Sequence, residues 1–122
     1  MKIIDTNLII YAIQPQFHWL IPSIMTPNCC YATVTKIEVL GFKNIRPHEK
    51  ALFQKYFAIL KPLHLTDDII DQAIDIRQNK KIKLGDAIIA ATARVHNLEI
   101  FTHNIVDFIN IDGVKVSDPL AK

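Results

Sequence analysis

Three glycines and two cysteines in 122 residues leave little material for a glycine-rich phosphate loop, a collagen-like repeat or a disulfide scaffold. The cysteines are neighbours, Cys29 and Cys30. Adjacent cysteines rarely bridge each other and cannot make a zinc site alone, so in their apolar setting they read as small strand residues of a reduced, cytoplasmic protein. Long hydrophobic runs are also missing. Asp5 interrupts the first apolar stretch, and no stretch reaches the length of a membrane span or signal peptide. Nor does one sign of charge dominate: 14 basic against 12 acidic residues give a formal +2, too mild to announce nucleic-acid binding. What the chain has is isoleucine, 21 residues of it, in a composition that is 50% hydrophobic. Such a sequence excludes disorder and predicts a single domain over residues 1–122 with a real core, burying about two-thirds of its surface.

The pattern along the chain predicts strands alternating with helices. Residues 2–4 form a first strand, and Leu8 to Ile13 a buried helix that stops by Pro15. A short helix is expected over Phe17–Met25, then a β-branched and aromatic strand from Cys29 to Val34. Thr35 is the expected N-cap of a helix continuing past Gly41, and His48–Leu60 is amphipathic. A strand Leu63-His64-Leu65 follows Pro62. Thr66-Asp67-Asp68 starts a helix with Ile69, Ile70, Ala73, Ile74 and Arg77 on one face. Gly85 and Asp86 open a helix Ala87–His96, followed by a strand Glu99–Thr102, a turn Asn104–Phe108 and a last strand Val114–Val116. This alternation predicts a three-layer α/β/α sandwich around a central parallel sheet.

The acids fall where such a sheet would bind a ligand. Asp5 closes the first strand, Glu38 lies in the first turn after the second, Asp86 opens the long helix, and Asn104 and Asp107 follow the fourth. Strand carboxyl ends and the following helix starts share one edge. Carboxylates gathered there without an embedded cation repel one another, and hard oxygen donors suit Mg²⁺ or Mn²⁺. Singly, Asp86 reads equally well as a helix cap and Asp107 as a turn residue. Glu38, between Ile37 and Val39, is read as facing a core, where an unpaired acid is costly. Lys80, Lys81 and Lys83, one turn after Arg77, could hold phosphates, although a solvated loop is the plainer reading. His18 and Trp19 are read as packing on the neighbouring helix pair rather than stacking on a base, and no His/Cys spacing supports zinc at His64 or His96.

At four segments the sequence resembles the PIN-domain family, and within it the VapC-type toxins. These are Ile3-Ile4-Asp5-Thr6-Asn7, Thr35-Lys36-Ile37-Glu38-Val39-Leu40-Gly41, Leu84-Gly85-Asp86-Ala87-Ile88-Ile89-Ala90-Ala91-Thr92-Ala93 and Phe101-Thr102-His103-Asn104-Ile105-Val106-Asp107-Phe108. The third is the most specific. The resemblance implies that Asp5, Glu38 and Asp86 bind a metal, completed by Asn104 or Asp107, with Thr6 and Thr102 as supporting polar groups. Arginine is common in the family where His103 stands. The resemblance also implies a Mg²⁺- or Mn²⁺-dependent endoribonuclease that cleaves RNA by in-line attack of water, inhibited by a small antitoxin, and commonly a homodimer. A haloacid-dehalogenase phosphatase would need aspartate where Asn7 stands, and a receiver domain needs an acidic pair where only Asp5 is present. The competing reading is a catalytically silent PIN-like module that binds RNA or protein.

Overall fold

Ile3 and Ile4 are both fully buried, yet they belong to different cores. Successive strand residues point to opposite faces, so strand β1 (Lys2–Ile4) must be covered on both sides. The same alternation holds in β2 (Cys29–Ala32), where Cys30 and Ala32 enter one core and Cys29 and Tyr31 the other. In the computed structural model, which describes residues 1–121, five parallel strands form one sheet in the order β3-β2-β1-β4-β5. The remaining strands are β3 (Lys61–Leu63), β4 (Glu99–Phe101) and β5 (Lys115–Ser117). The expected three-layer sandwich is present.

One face is covered by α1 (Thr6–Ala12), α2 (Ile21–Ile24), α3 (Thr33–Leu40) and α4 (Pro47–Ile59). The other is covered by α5 (Asp67–Asn79) and α6 (Leu84–His96), with Phe108 and Ile111 filling beside them. The alanines of α6 at 87, 90, 91 and 93 are all buried and let its backbone lie close to the sheet. Asn97 ends α6 in the left-handed region, φ 53°, a conformation asparagine tolerates better than most side chains. Thr66 caps α5 as expected, its side-chain oxygen accepting from the Ile69 N–H at 3.3 Å. Among the described residues, no helix is long and apolar enough to cross a membrane.

Several boundaries differ from expectation. Residues Pro15–Leu20 wind as a 3-10 segment before α2, because prolines at 15 and 22 break up any longer helix. Helix α3 begins at Thr33 and stops at Leu40, with Ala32 in the N-cap position, so Thr35 is inside the helix. Strand β3 contains Pro62 rather than following it. An edge strand pairs on one side only, and the missing N–H costs no ladder bond. The buried stripe of α5 is Ile69, Ala73 and Ile76, while Ile70 and Ile74 are 41% and 51% exposed. Two hydrophobic stripes fit the same helix, and the sheet takes only one of them.

Candidate active site

The sheet reverses its strand order between β1 and β4, since the chain runs outward through β2 and β3 before returning to the far side of β1. Ligand sites of open parallel sheets lie at this switch, beyond the strand carboxyl ends. Asp5 follows β1 there and Thr102 follows β4. The Asp5 N–H donates to the Phe101 carbonyl at 2.9 Å, and the Thr102 hydroxyl donates to Asp5 Oδ2 at 2.9 Å. Thr102 in turn accepts from the Asn104 N–H at 2.9 Å. Asp5 occupies the N-cap position of α1, but its side chain makes no capping bond, so helix capping does not explain it. It is 2% exposed. Burial, joined by the charges of Asp86 and Asp107, pushes its carboxyl up to about 6 against the lowering effect of hydrogen bonds from the Thr102 hydroxyl and the Thr6 backbone.

Glu38 is exposed on α3, not turned into the core as its apolar neighbours suggested. The α3 residues that are buried are Thr35 and Val39. Glu38 Oε1 accepts from the Thr6 hydroxyl at 2.8 Å. That hydroxyl has one hydrogen, so at its 3.0 Å contact with Thr35 it is the acceptor and Thr35 the donor. Thr6 and Thr35 are both buried.

Asp86 sits in the first turn of α6, two residues inside its start rather than at the cap. Its carboxyl is raised by burial first, then by Asp107 and Glu38, with Lys83 acting against them. Asp107 closes a 3-10 turn (Ile105–Asp107) and shares with Asp86 a groove of about 450 Å³. Arg77, Lys81, Ile82 and Lys83 form the rest of its wall. Lys80 instead lines a separate cavity with Asp75, Asn79 and Arg94. The structure therefore gathers Asp5, Glu38, Asp86 and Asp107 along one edge, and it is Asp107 whose charge acts on both Asp5 and Asp86. Asn104 reaches this edge through its backbone N–H on Thr102.

The donors are hard oxygens, which suits Mg²⁺ or Mn²⁺. Among the described residues, no three His, Cys, Asp or Glu side chains stand close enough together to hold a metal ion between them. Mg²⁺ does not require such a cluster, because it is commonly held by one or two carboxylates and completed by water. The residues fit such an ion, with Asp5 and Asp86 as the buried and half-buried donors.

The family model of the PIN domain matches residues 2–114. The chain belongs to the PIN domain family. Its PIN domain is similar to a chain of a toxin–antitoxin complex from Klebsiella pneumoniae, at 30% identity over 93% of this chain and 95% of that one, with a TM-score of 0.75. It also resembles a chain of FitAcB from Neisseria gonorrhoeae, at 25% identity over 98% of each, TM-score 0.74. A chain of DNA-bound VapBC from Salmonella typhimurium shares the fold at 21% identity over 97% of this chain and 98% of that one, TM-score 0.82. No curated protein matches the sequence.

Two groups at the edge of this PIN domain escaped the sequence pattern. Thr35 reads locally as a cap, yet its position three residues before Glu38 on one helix puts both on a common face, which was a usable signal. Asp118 holds His103 Nδ1 at 3.0 Å, and the His103 ring stands edge-on to Tyr11 at 5.8 Å. That contact joins positions 15 apart, across the 3-10 turn and β5, and leaves no local trace. His18 and Trp19 are exposed rather than packed on the helix pair, and His64 and His96 are exposed as well.

Proposed function

We propose that this PIN domain is a Mg²⁺- or Mn²⁺-dependent endoribonuclease, the VapC-type toxin of a toxin–antitoxin pair, acting on RNA in the cytoplasm under control of a small antitoxin. One observation carries the reading. Asp5 lies at the sheet switch with its carboxyl raised first by burial and then by Asp86 and Asp107, an arrangement a bound cation would relieve.

A bound divalent ion would supply a more acidic water and neutralise charge building on the phosphate. Asp5, fixed by Thr102, and Asp86, fixed in the first turn of α6, are the residues that would hold it. Glu38, oriented by Thr6, would hold it as well or direct the attacking water. Asp107 is favoured over Asn104 as the remaining acid because its charge reaches both Asp5 and Asp86. Arg77, Lys81 and Lys83 place positive charge along the groove that ends at Asp86 and Asp107, where the RNA backbone would lie. Two apolar surfaces support contacts with other chains, an antitoxin and a second copy. One groove is lined by Ile10, Ile13, Val39, Phe42 and Phe53, and another by Leu65, Ile70, Ile74 and Leu84.

The deciding experiment is cleavage of single-stranded RNA with Mg²⁺ or Mn²⁺, in EDTA, and by Asp5→Asn. Cleavage is expected only for the unaltered protein with metal. Equal cleavage by the variant would trace the activity to a contaminant. Tight RNA binding without cleavage by the folded protein would favour the silent binding module instead.

A further inference from the structure

Gly85 is the second residue of α6, an ordinary helical position. Its backbone does not need glycine, since among the described residues only Gly113 is a glycine with positive φ. Glycine is a poorer helix former than alanine. Something else must account for it. A Cβ built at Gly85 would stand 2.8 Å from Glu38 Oε2, 3.2 Å from Glu38 Cδ and 3.2 Å from Glu38 Oε1, the three nearest atoms beyond its chain neighbours and its own helix backbone. The carboxyl group of Glu38 thus fills the space a side chain would take. On its other side, Oε1 takes the Thr6 hydroxyl at 2.8 Å, backed by buried Thr35 at 3.0 Å.

We propose that Gly85 is a positioning residue for Glu38: its missing side chain is the socket that lets the carboxylate lie against the Thr6–Thr35 hydroxyl pair, beside Asp86. The inference rests on the nuclease reading for its consequence, though not for its geometry. Any Cβ at position 85 must displace a neighbour. The displaced group is the end of an exposed, flexible side chain, so Glu38 swings away while the helix stays. The loss then falls on the metal edge rather than on the fold.

The test compares the unaltered protein, Gly85→Ala, Glu38→Asp and the double variant by three measurements. These are thermal unfolding, Mn²⁺ affinity, and the crystallographic position of the residue-38 carboxylate. Gly85→Ala is expected to unfold at the same or a higher temperature and to lose the Thr6–Glu38 contact. Its Mn²⁺ binding should weaken about tenfold, the lower end for loss of an orienting group. Glu38→Asp retracts the carboxylate by one methylene, so adding Gly85→Ala to it should cost no further Mn²⁺ affinity. A Glu38 carboxylate still on Thr6 in Gly85→Ala would overturn the proposal, as would additive losses in the double variant. If the unaltered protein neither binds Mn²⁺ nor cleaves RNA, the nuclease reading fails separately. The carboxylate position then still decides the role of Gly85.

Discussion

The Thr102 hydroxyl donates to Asp5 Oδ2 across 2.9 Å, tying the end of β4 to the end of β1 where the sheet changes direction. This bond is the one side-chain contact that lowers the Asp5 carboxyl while burial and two neighbouring acids raise it. Replacing Thr102 by valine keeps the shape and removes the donor. Hydrogen bonds to charged groups contribute about 1.5–3 kcal/mol, so the Asp5 titration should move up by about one to two pH units. Carboxyl NMR titration of Asp5 in EDTA would show it, and an unmoved titration would refute the role given to Thr102.

The same carboxyl makes the metal-free protein sensitive to pH in a defined direction. Its value rises from 3.8 to about 6 on folding. The folded state therefore binds the proton more tightly than the unfolded chain. This contribution is fully present below about pH 4 and is lost as pH rises through about 6, by up to about 3 kcal/mol. Asp86 is raised too and acts with the same sign. Urea unfolding in EDTA should show higher stability at pH 5 than at pH 7.5, and Asp5→Asn should flatten the difference.

A divalent cation should restore what ionisation removes. At a hundred times its dissociation constant, a ligand that binds only the folded state stabilises it by about 2.7 kcal/mol. The thermal shift with Mn²⁺ is expected to be larger at pH 7.5 than at pH 5, because protons compete for Asp5. It should vanish in Asp5→Asn. A shift of equal size in that variant would place the ion elsewhere.

The basic wall divides into groups that can be told apart by salt. Arg77, Lys81 and Lys83 line the groove that ends at Asp86, and Lys80 lines another cavity. RNA binding, measured in the cleavage-deficient Asp5→Asn background, should lose about 0.7 in the slope of log affinity against log salt for each phosphate contact removed. Alanine at 77, 81 or 83 should show that loss, and alanine at 80 should leave the slope in place. Four equal effects would mean a diffuse field rather than a lane.

Where the pattern is local, the sequence was a good guide. Apolar residues mark β2 throughout and β1 after Lys2, while β3, β4 and β5 each carry a polar or charged residue and are marked less sharply; the alternation of strands with helices marks the layers. Asp5 stands out because it ends an apolar strand, Glu38 because its flanks are apolar, and Asp86 because it falls at the start of a helix; the proposed metal edge is built on these three. The errors arise where a distant residue decides. Thr35 looks like a cap because threonine often is one, yet its hydroxyl bonds Thr6, which lies 29 positions away. Glu38 looked buried because its flanks are apolar, while Ile37 beside it is 72% exposed. Ile70 and Ile74 fit the helical period as well as Ile69 and Ala73, and only the placement of the sheet chooses between the stripes. Gly85 gives no signal by itself, since its purpose lies in a side chain on another helix.

The bond from Thr102 to Asp5 spans 97 positions, and Asp107 lies further still along the chain. A growing polypeptide therefore carries Asp5 for a time without the partners that define its chemistry. At about 5–20 residues per second, the gap between making the two ends of that bond is on the order of ten seconds. Throughout that interval Asp5 has neither the Thr102 hydroxyl nor the Asp107 charge beside it, and this edge of the sheet cannot close until β4 and the turn after it have been made.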